Sequence, residues 1–351
     1  MNPILKTAFD YLETEVAPSA QRIDQDAEAL RTALGGLASR SLLALRRPAR
    51  YGGPDLPEAE FRAFQEEVAR RSGALSFLQT QHQSAVSLIA KGDNQALQEA
   101  YLPLMADGRK LVGIGFSQLR RPGPPIMRAE PVTGGYRLEG HVPWVTGWTF
   151  FPEFLIAAAL PDGSAVFAVV PLVESPGVKL SPAMRLAAME TALTVTADFE
   201  QFFVPDTLVS SIQPAGWIRT NDQINVALQR HFALGCAQAG IDIVAAAARA
   251  KGTDWMLAAS AVLEEELKAC REATADVPEG EAATTDRLRA RAWAIELAAR
   301  CAQAAVAVSS GKANSLDHPA QRVYREALVY TVSAQTSAIM EATLERLARR
   351  P

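Results

Sequence analysis

Cysteine and histidine are scarce in this 351-residue chain, and the shortage narrows the chemistry open to it. There are 3 cysteines, Cys236, Cys270 and Cys301, far apart and without a CxxC or Cys-His spacing, so neither a disulfide framework nor a thiolate metal site is expected. The 4 histidines are likewise dispersed. No Gly-x-Gly-x-x-Gly follows a strand-like run, which argues against a dinucleotide-binding βαβ unit. No stretch reads as an apolar membrane span, and the opening MNPILKTAFDYLETEVAP has acidic residues where a signal peptide carries its apolar core. A net charge of -4 gives no overall basic field, so nucleic acid is not an expected partner. The reading is a protein of a reducing compartment, cytoplasmic by expectation.

What is present is 48% apolar residues in a length that suggests two or three structural units. From Leu5 to Ala106 apolar positions recur at helical spacing, as in Phe9, Leu12, Val16 and Phe61, Phe64, Val68, with a break at Tyr51-Gly52-Gly53-Pro54. From Val112 to Val209 short apolar runs such as FLIAAAL and AVFAVVPLV are punctuated by PGPP, GG, PDG and SPG, the pattern of strands and turns. From Ile224 to Leu347 long Ala-rich segments return to helical periodicity, with stops at Pro278 and Pro319. Strands and crossover helices do not alternate, so the class is α+β and mostly α. The expected units are an N-terminal helical domain (1–110), a middle β-barrel-like or sandwich domain (111–212) and a C-terminal four-helix bundle (213–351).

In order along the chain, ARYGGPDLP, GIGFSQL, GGYRLEGHVPWVTGW, TADFEQFFVPDTLV and HPAQRVYREALVYTVSAQTSAIMEATL resemble the acyl-CoA dehydrogenase family over nearly the whole length. Pro319, Arg322, Arg325, Glu326 and Thr336 stand in register with its C-terminal motif. The resemblance implies a flavin, FAD with FMN as the alternative, contacted by Phe116 and Ser117 and by Trp144, Val145 and Thr146, with Gly311 and Thr336 as further cofactor positions. It implies an acyl-CoA-like or other small-molecule substrate and assembly as a homodimer or homotetramer. Arg120 and Arg121 replace the family's acidic turn and suit a phosphate of CoA or flavin nucleotide; a solvated basic turn is the bland reading. Arg230 matches an arginine near the CoA end.

The chain departs from that pattern where the chemistry is. Removing a proton beside a thioester needs a carboxylate over that carbon, and the family's glutamate position is Ala334 here. The alternative base site falls near Gln229, also not a base. The adenine-contacting motif matches Ala307, Ser310, Gly311 and Ala313 and keeps one glycine, and the pyrophosphate motif of a neighbouring subunit has no counterpart between Ala248 and Leu263. Weakened or absent FAD binding follows from those losses. His82 and His231 are the candidate replacement bases, with structural histidines as the alternative. Glu341 and Cys236 read as a solvated face and a buried small residue. Three functions stay open: a flavin-dependent oxidoreductase acting on an acyl thioester, a reduced-flavin monooxygenase, and a non-catalytic ligand-binding or partner-binding homologue.

Overall fold

The computed structural model describes residues 2–273 and 281–348, so the expected helix stop at Pro278 lies outside the described residues. Among the described residues the chain forms eleven α-helices and eight strands. The helices are α1 (Pro3–Tyr11), α2 (Ala17–Gln25), α3 (Ala27–Ala38), α4 (Glu58–Arg71), α5 (Gly73–Ala90), α6 (Gln95–Met105), α7 (Trp217–Lys251), α8 (Asp254–Glu272), α9 (Glu281–Ser309), α10 (Pro319–Val332) and α11 (Ser337–Leu347). The strands are β1 (Val112–Gly115), β2 (Met127–Val132), β3 (Gly135–Thr146), β4 (Glu153–Ala159), β5 (Ala165–Pro171), β6 (Val178–Leu180), β7 (Thr194–Pro205) and β8 (Val209–Gln213). The α-β-α order expected from composition is the order found.

Local chemistry explains where the helices begin. The Ser72 hydroxyl accepts from the Leu75 amide at the head of α5 and the Asn94 side chain from Leu97 at the head of α6. Each satisfies an amide that has no partner inside its helix. Asn94 also donates to the carbonyls of Asp206, Thr207 and Val209, so one cap fastens α6 to the β7–β8 corner. At the other end of the molecule Gly252 closes α7 in the left-handed region, φ 61°, where a Cβ is costly.

The strands make one eight-stranded sheet in the order β6-β7-β3-β2-β4-β5-β8, with β1 added parallel to β4. The unbroken apolar runs of β4 and β5 are explained by burial of both faces. Phe154, Ile156, Val166 and Val170 join the main core with the N-terminal helices, whereas Leu155, Ala157, Phe167 and Val169 join a second core beneath α5 and α6. The C-terminal helices pack about α7, which lies between α4, α8, α9 and α10. Small residues let these backbones approach: a Cβ on Gly235 would stand 2.2 Å from the Glu66 carbonyl, and one on Gly240 2.6 Å from the Cys301 backbone. One expectation is corrected here. Gln229–Lys251 of α7, 23 residues containing an 18-residue stretch of mean hydropathy 1.3, is long and apolar enough to cross a bilayer, and 67% of that stretch is buried inside the protein. Its apolar character is that of the central helix of a bundle.

Candidate active-site cavity

A cavity of about 600 Å³ opens where the three parts of the chain meet, lined by Ser76, Thr80, Gln81 and Ser84 of α5, by Phe116, Ser117, Arg120, Arg121 and Trp144 from the sheet side, by Asn225, Gln229 and Phe232 of α7, and by Val329 to Gln335 at the end of α10, Thr331 excepted. A second space of about 860 Å³ adjoins it, sharing Arg120, Arg121 and Gln335 and bounded by the start of α11 at Thr336, Ser337 and Ala338.

Each wall has a local cause. β1 ends at Gly115 and the chain turns into a 3₁₀ segment, Ser117–Arg120, anchored by Gln118, whose side-chain amide donates to the Ala157 carbonyl at 2.7 Å. That turn presents Phe116 and Ser117 to the cavity. In β3 the ladder to β7 slips between Val142 and Val145, at Pro143-Trp144. Proline supplies no ladder amide and the irregularity re-aims its neighbour, so Trp144 stays 40% exposed at the cavity wall. On the opposite side α10 ends at Val332, Ala334 adopts a left-handed conformation (φ 49°), and the Thr336 hydroxyl caps α11 by accepting from Ile339. This non-glycine left-handed residue sits in the cavity wall.

The structure brings together Phe116, Ser117, Trp144, Arg120, Arg121 and Ala334, with Thr336 in the adjoining space. Other expected site residues are elsewhere. Val145 points into the core, and Thr146 is buried with its hydroxyl 3.0 Å from that of Thr194; strand alternation gives neighbours opposite faces, and Thr146 found a protein partner. Gly311 lies exposed on the turn Ser310–Asn314 and lines neither space.

Neither histidine is placed as a base. His82 is fully buried, its Nδ1 accepting from the Val112 amide at 3.0 Å and its Nε2 donating to the Met105 carbonyl at 2.9 Å. It ties α5 to the end of α6 and the start of β1, and burial holds its pKa below the ordinary value. His231 is buried with Nδ1 3.2 Å from Glu66, which also receives two bonds from Arg271. Desolvation opposes ionisation of Glu66, but its hydrogen bonds to His231 and Arg271 win and keep its carboxyl below the usual range; burial lowers His231. Neither ring is among the cavity-lining residues.

The arginines divide the same way. Arg230 is 3% exposed and turns its guanidinium to the Cys270 and Arg271 carbonyls at the end of α8, away from the substrate role expected of it. Its long side chain found a helix C-terminus, where a cation is favoured. Arg120 forms a two-pronged ion pair with Asp222, Nε to Oδ2 2.9 Å and Nη2 to Oδ1 2.6 Å, and lies over Phe116. Its charge is neutralised, so it is not the free phosphate receptor expected. Arg121 is exposed, and among the described residues its side chain has no acidic partner.

Sequence reasoning missed Arg291. Its side chain is fully buried and donates to the carbonyls of Gln229, Tyr330 (3.2 Å) and Ser333 (3.3 Å), all three from cavity-lining residues. No carboxylate partners it among the described residues, and burial lowers its pKa to about 10. The signal was available: Arg291 falls on the stripe continued by Ala294, Ala298, Cys301 and Ala305, the buried face of α9. Tyr330, also missed, is stacked on Phe232 with ring centroids 6.2 Å apart.

A mostly helical chain with a central sheet and an interdomain cavity of this construction defines a fold class that comparison identifies. The family profile described as "Acyl-CoA dehydrogenase, N-terminal domain" matches residues 2–109. Isovaleryl-CoA dehydrogenase, mitochondrial, of Pongo abelii is 23% identical over 366 residues, covering 97% of this chain and 86% of that protein. The 3-(aryl)acrylate reductase of Clostridium sporogenes is 23% identical, covering 97% of this chain and 96% of that one. Among solved structures, glutaryl-coenzyme A dehydrogenase in its glutaryl-CoA complex superposes with a TM-score of 0.82 at 19% identity, covering 99% and 95% of the two chains. An acyl-CoA dehydrogenase of Bacillus anthracis complexed with FAD gives 0.79 at 19% identity, covering 98% and 67%. The chain has the acyl-CoA dehydrogenase fold, and the family match covers its N-terminal helical part, residues 2–109.

Proposed function

We propose that the chain is a flavin-dependent oxidoreductase of the acyl-CoA dehydrogenase type, with the flavin ring and the substrate meeting in the 600 Å³ cavity. The observation that carries this reading is the convergence of Phe116, Ser117 and the uncovered Trp144 on one wall with the Ser333–Gln335 turn on the other. The residues present fit the group. An aromatic face is exposed where a flat ring would stack, the Gln335 side-chain oxygen is buried without a partner, and the adjoining 860 Å³ space, reached past Gln335, ends at the start of α11, a helix terminus suited to phosphate. The FAD-complexed relative supports the same assignment. A bound flavin would supply a hydride acceptor that no side chain can supply.

The chain's own residues bind, orient and exclude water. Trp144 and Phe116 provide apolar faces, Asn225, Gln229 and Gln335 provide carboxamides for polar atoms, and Arg291 holds Gln229, Tyr330 and Ser333 in one arrangement. None of the described lining residues is a carboxylate or a histidine. That inventory favours a second reading, oxygen-dependent oxidation by reduced flavin, in which no carbon-bound proton need be taken by the protein. A visible-range absorbance spectrum of the purified chain, before and after FAD addition and gel filtration, tests the first step. A flavin band travelling with the protein supports an enzyme; a flat spectrum after addition removes both flavin readings and leaves the non-catalytic homologue. Given a band, its bleaching by an acyl-CoA in the absence of oxygen selects the dehydrogenase, and oxygen uptake with reduced flavin selects the alternative.

The exposed apolar stripes Tyr324, Leu328, Val332 on α10 and Met340, Leu344, Leu347 on α11 support self-association, as a homodimer or homotetramer.

A further inference from the structure

The charges around the cavity do not balance. Arg120 is spent on Asp222, the sole acid lining either space among the described residues. Arg121 lines both spaces with no acid beside it, and Arg291 lies behind the wall with only carbonyls for partners. Arg219 lines the second space only, and the remaining polar lining of the 600 Å³ cavity is neutral: hydroxyls of Ser76, Thr80, Ser84, Ser117 and Ser333, and carboxamides. An unbalanced cation at the mouth of a concave site attracts anions more effectively than the same charge on a flat surface.

We propose that this cavity selects an organic anion of modest size, a carboxylate on an aromatic or aliphatic body, and that Arg121 is the residue that reads the charge. The inference rests on the cavity being the substrate site and deepens that reading by naming a substrate class. The aromatic walls Phe77, Phe116, Trp144 and Phe232 take the body, and the guanidinium takes the carboxylate by paired hydrogen bonds. The difference between the two neighbouring arginines is the core of the argument. Arg120 has its carboxylate already, supplied by the protein; Arg121 has the same chemistry and lacks one. The same guanidinium chemistry would accept a nucleotide phosphate entering through the second space, so the test separates the two sources.

The experiment is calorimetric titration of the purified full chain with 3-phenylacrylate, its neutral amide 3-phenylacrylamide, and ADP, each with and without saturating FAD. The acid should bind at least about tenfold more tightly than the amide, the factor expected for one charge-assisted contact. Arg121→Gln should erase that preference, Arg121→Lys should keep most of it, and Asp222→Asn, which releases Arg120, should preserve or increase it. Equal affinity for acid and amide, a preference untouched by Arg121→Gln, or binding of neither compound at millimolar concentration overturns the proposal. Dependence on Arg121 for ADP alone also overturns it and assigns the arginine to a nucleotide phosphate. A protein that takes no flavin but still prefers the acid through Arg121 would sink the flavin reading while leaving this one standing.

Discussion

The sheet and the helices over it bury their apolar side chains on every packed face, whereas the C-terminal helices bury one side and leave the other open. β4 and β5 feed two separate cores, and residues such as Phe154, Phe167 and Val169 are at most 1% exposed. On α10, Tyr324, Leu328 and Val332 are 49 to 59% exposed at i, i+4, i+8 spacing, while Val323, Ala327 and Tyr330 on the inner face are buried. One region therefore closes its apolar surface within the chain, and the other leaves apolar side chains exposed along α10 and α11. The cavity lies on the seam, with one wall fixed by ladder hydrogen bonds and the other by a few buried charged side chains.

The largest effect should come from breaking those charges. Arg322 and Glu326 form a buried pair at 2.8 Å that also accepts the Gly73 amide, fastening α10 to the head of α5. Burial pushes the Glu326 carboxyl up in spite of the arginine, so the pair stands only with both partners present. Glu326→Leu should cost about 3–5 kcal/mol by stranding the arginine, read as a fall in denaturant midpoint; an unchanged midpoint would show that Arg322 is readily hydrated there. Next in size is Gly235→Ala, where the new methyl would meet the Glu66 carbonyl and force α7 from α4. A loss of about 1–3 kcal/mol is expected, against a few tenths gained if the helix can shift and only propensity counts.

A smaller, pH-dependent effect belongs to the sheet side. His82 stays neutral in the folded protein because burial depresses its pKa, whereas the unfolded chain takes up a proton near the ordinary value of 6.5. Below that pH the unfolded state binds more protons, so stability is complete above about 6.5 and falls as pH drops toward the depressed value. His231 adds in the same direction. Melting temperature should decline between about pH 6.5 and 5, and His82→Gln should flatten part of that slope; an equal slope in the variant would place its origin elsewhere. The smallest stability change is expected from Leu328→Lys on the open face of α10, within about 0.5 kcal/mol. Its mark should instead be a shift toward monomer in sedimentation, and an unchanged sedimentation profile would make the open face of α10 an ordinary surface.

Much of the fold was legible because periodicity reports burial. The helical spacing of Phe61, Phe64 and Val68 is the buried face of α4, and FLIAAAL and AVFAVVPLV are strands apolar throughout because both sides are covered. The site was legible in part. Phe116, Ser117, Trp144 and Ala334 came from one-dimensional register and do converge. Thr146, His82, His231 and Arg230 are polar residues of suitable type whose partners turned out to be Thr194, two backbone groups, Glu66 and a helix end.

The sequence by itself determined the order of units, the covered faces of the helices and the alanine at position 334, since residue identity and spacing carry those facts directly. Only the tertiary structure decided which of two adjacent arginines keeps its charge available, because the neutralising Asp222 lies 102 residues away from Arg120. It also decided that Arg291 serves the cavity, since its three carbonyls come from α7, from α10 and from the turn after α10. Hydrogen-bond partners are chosen by distance in space, and no local pattern records that distance.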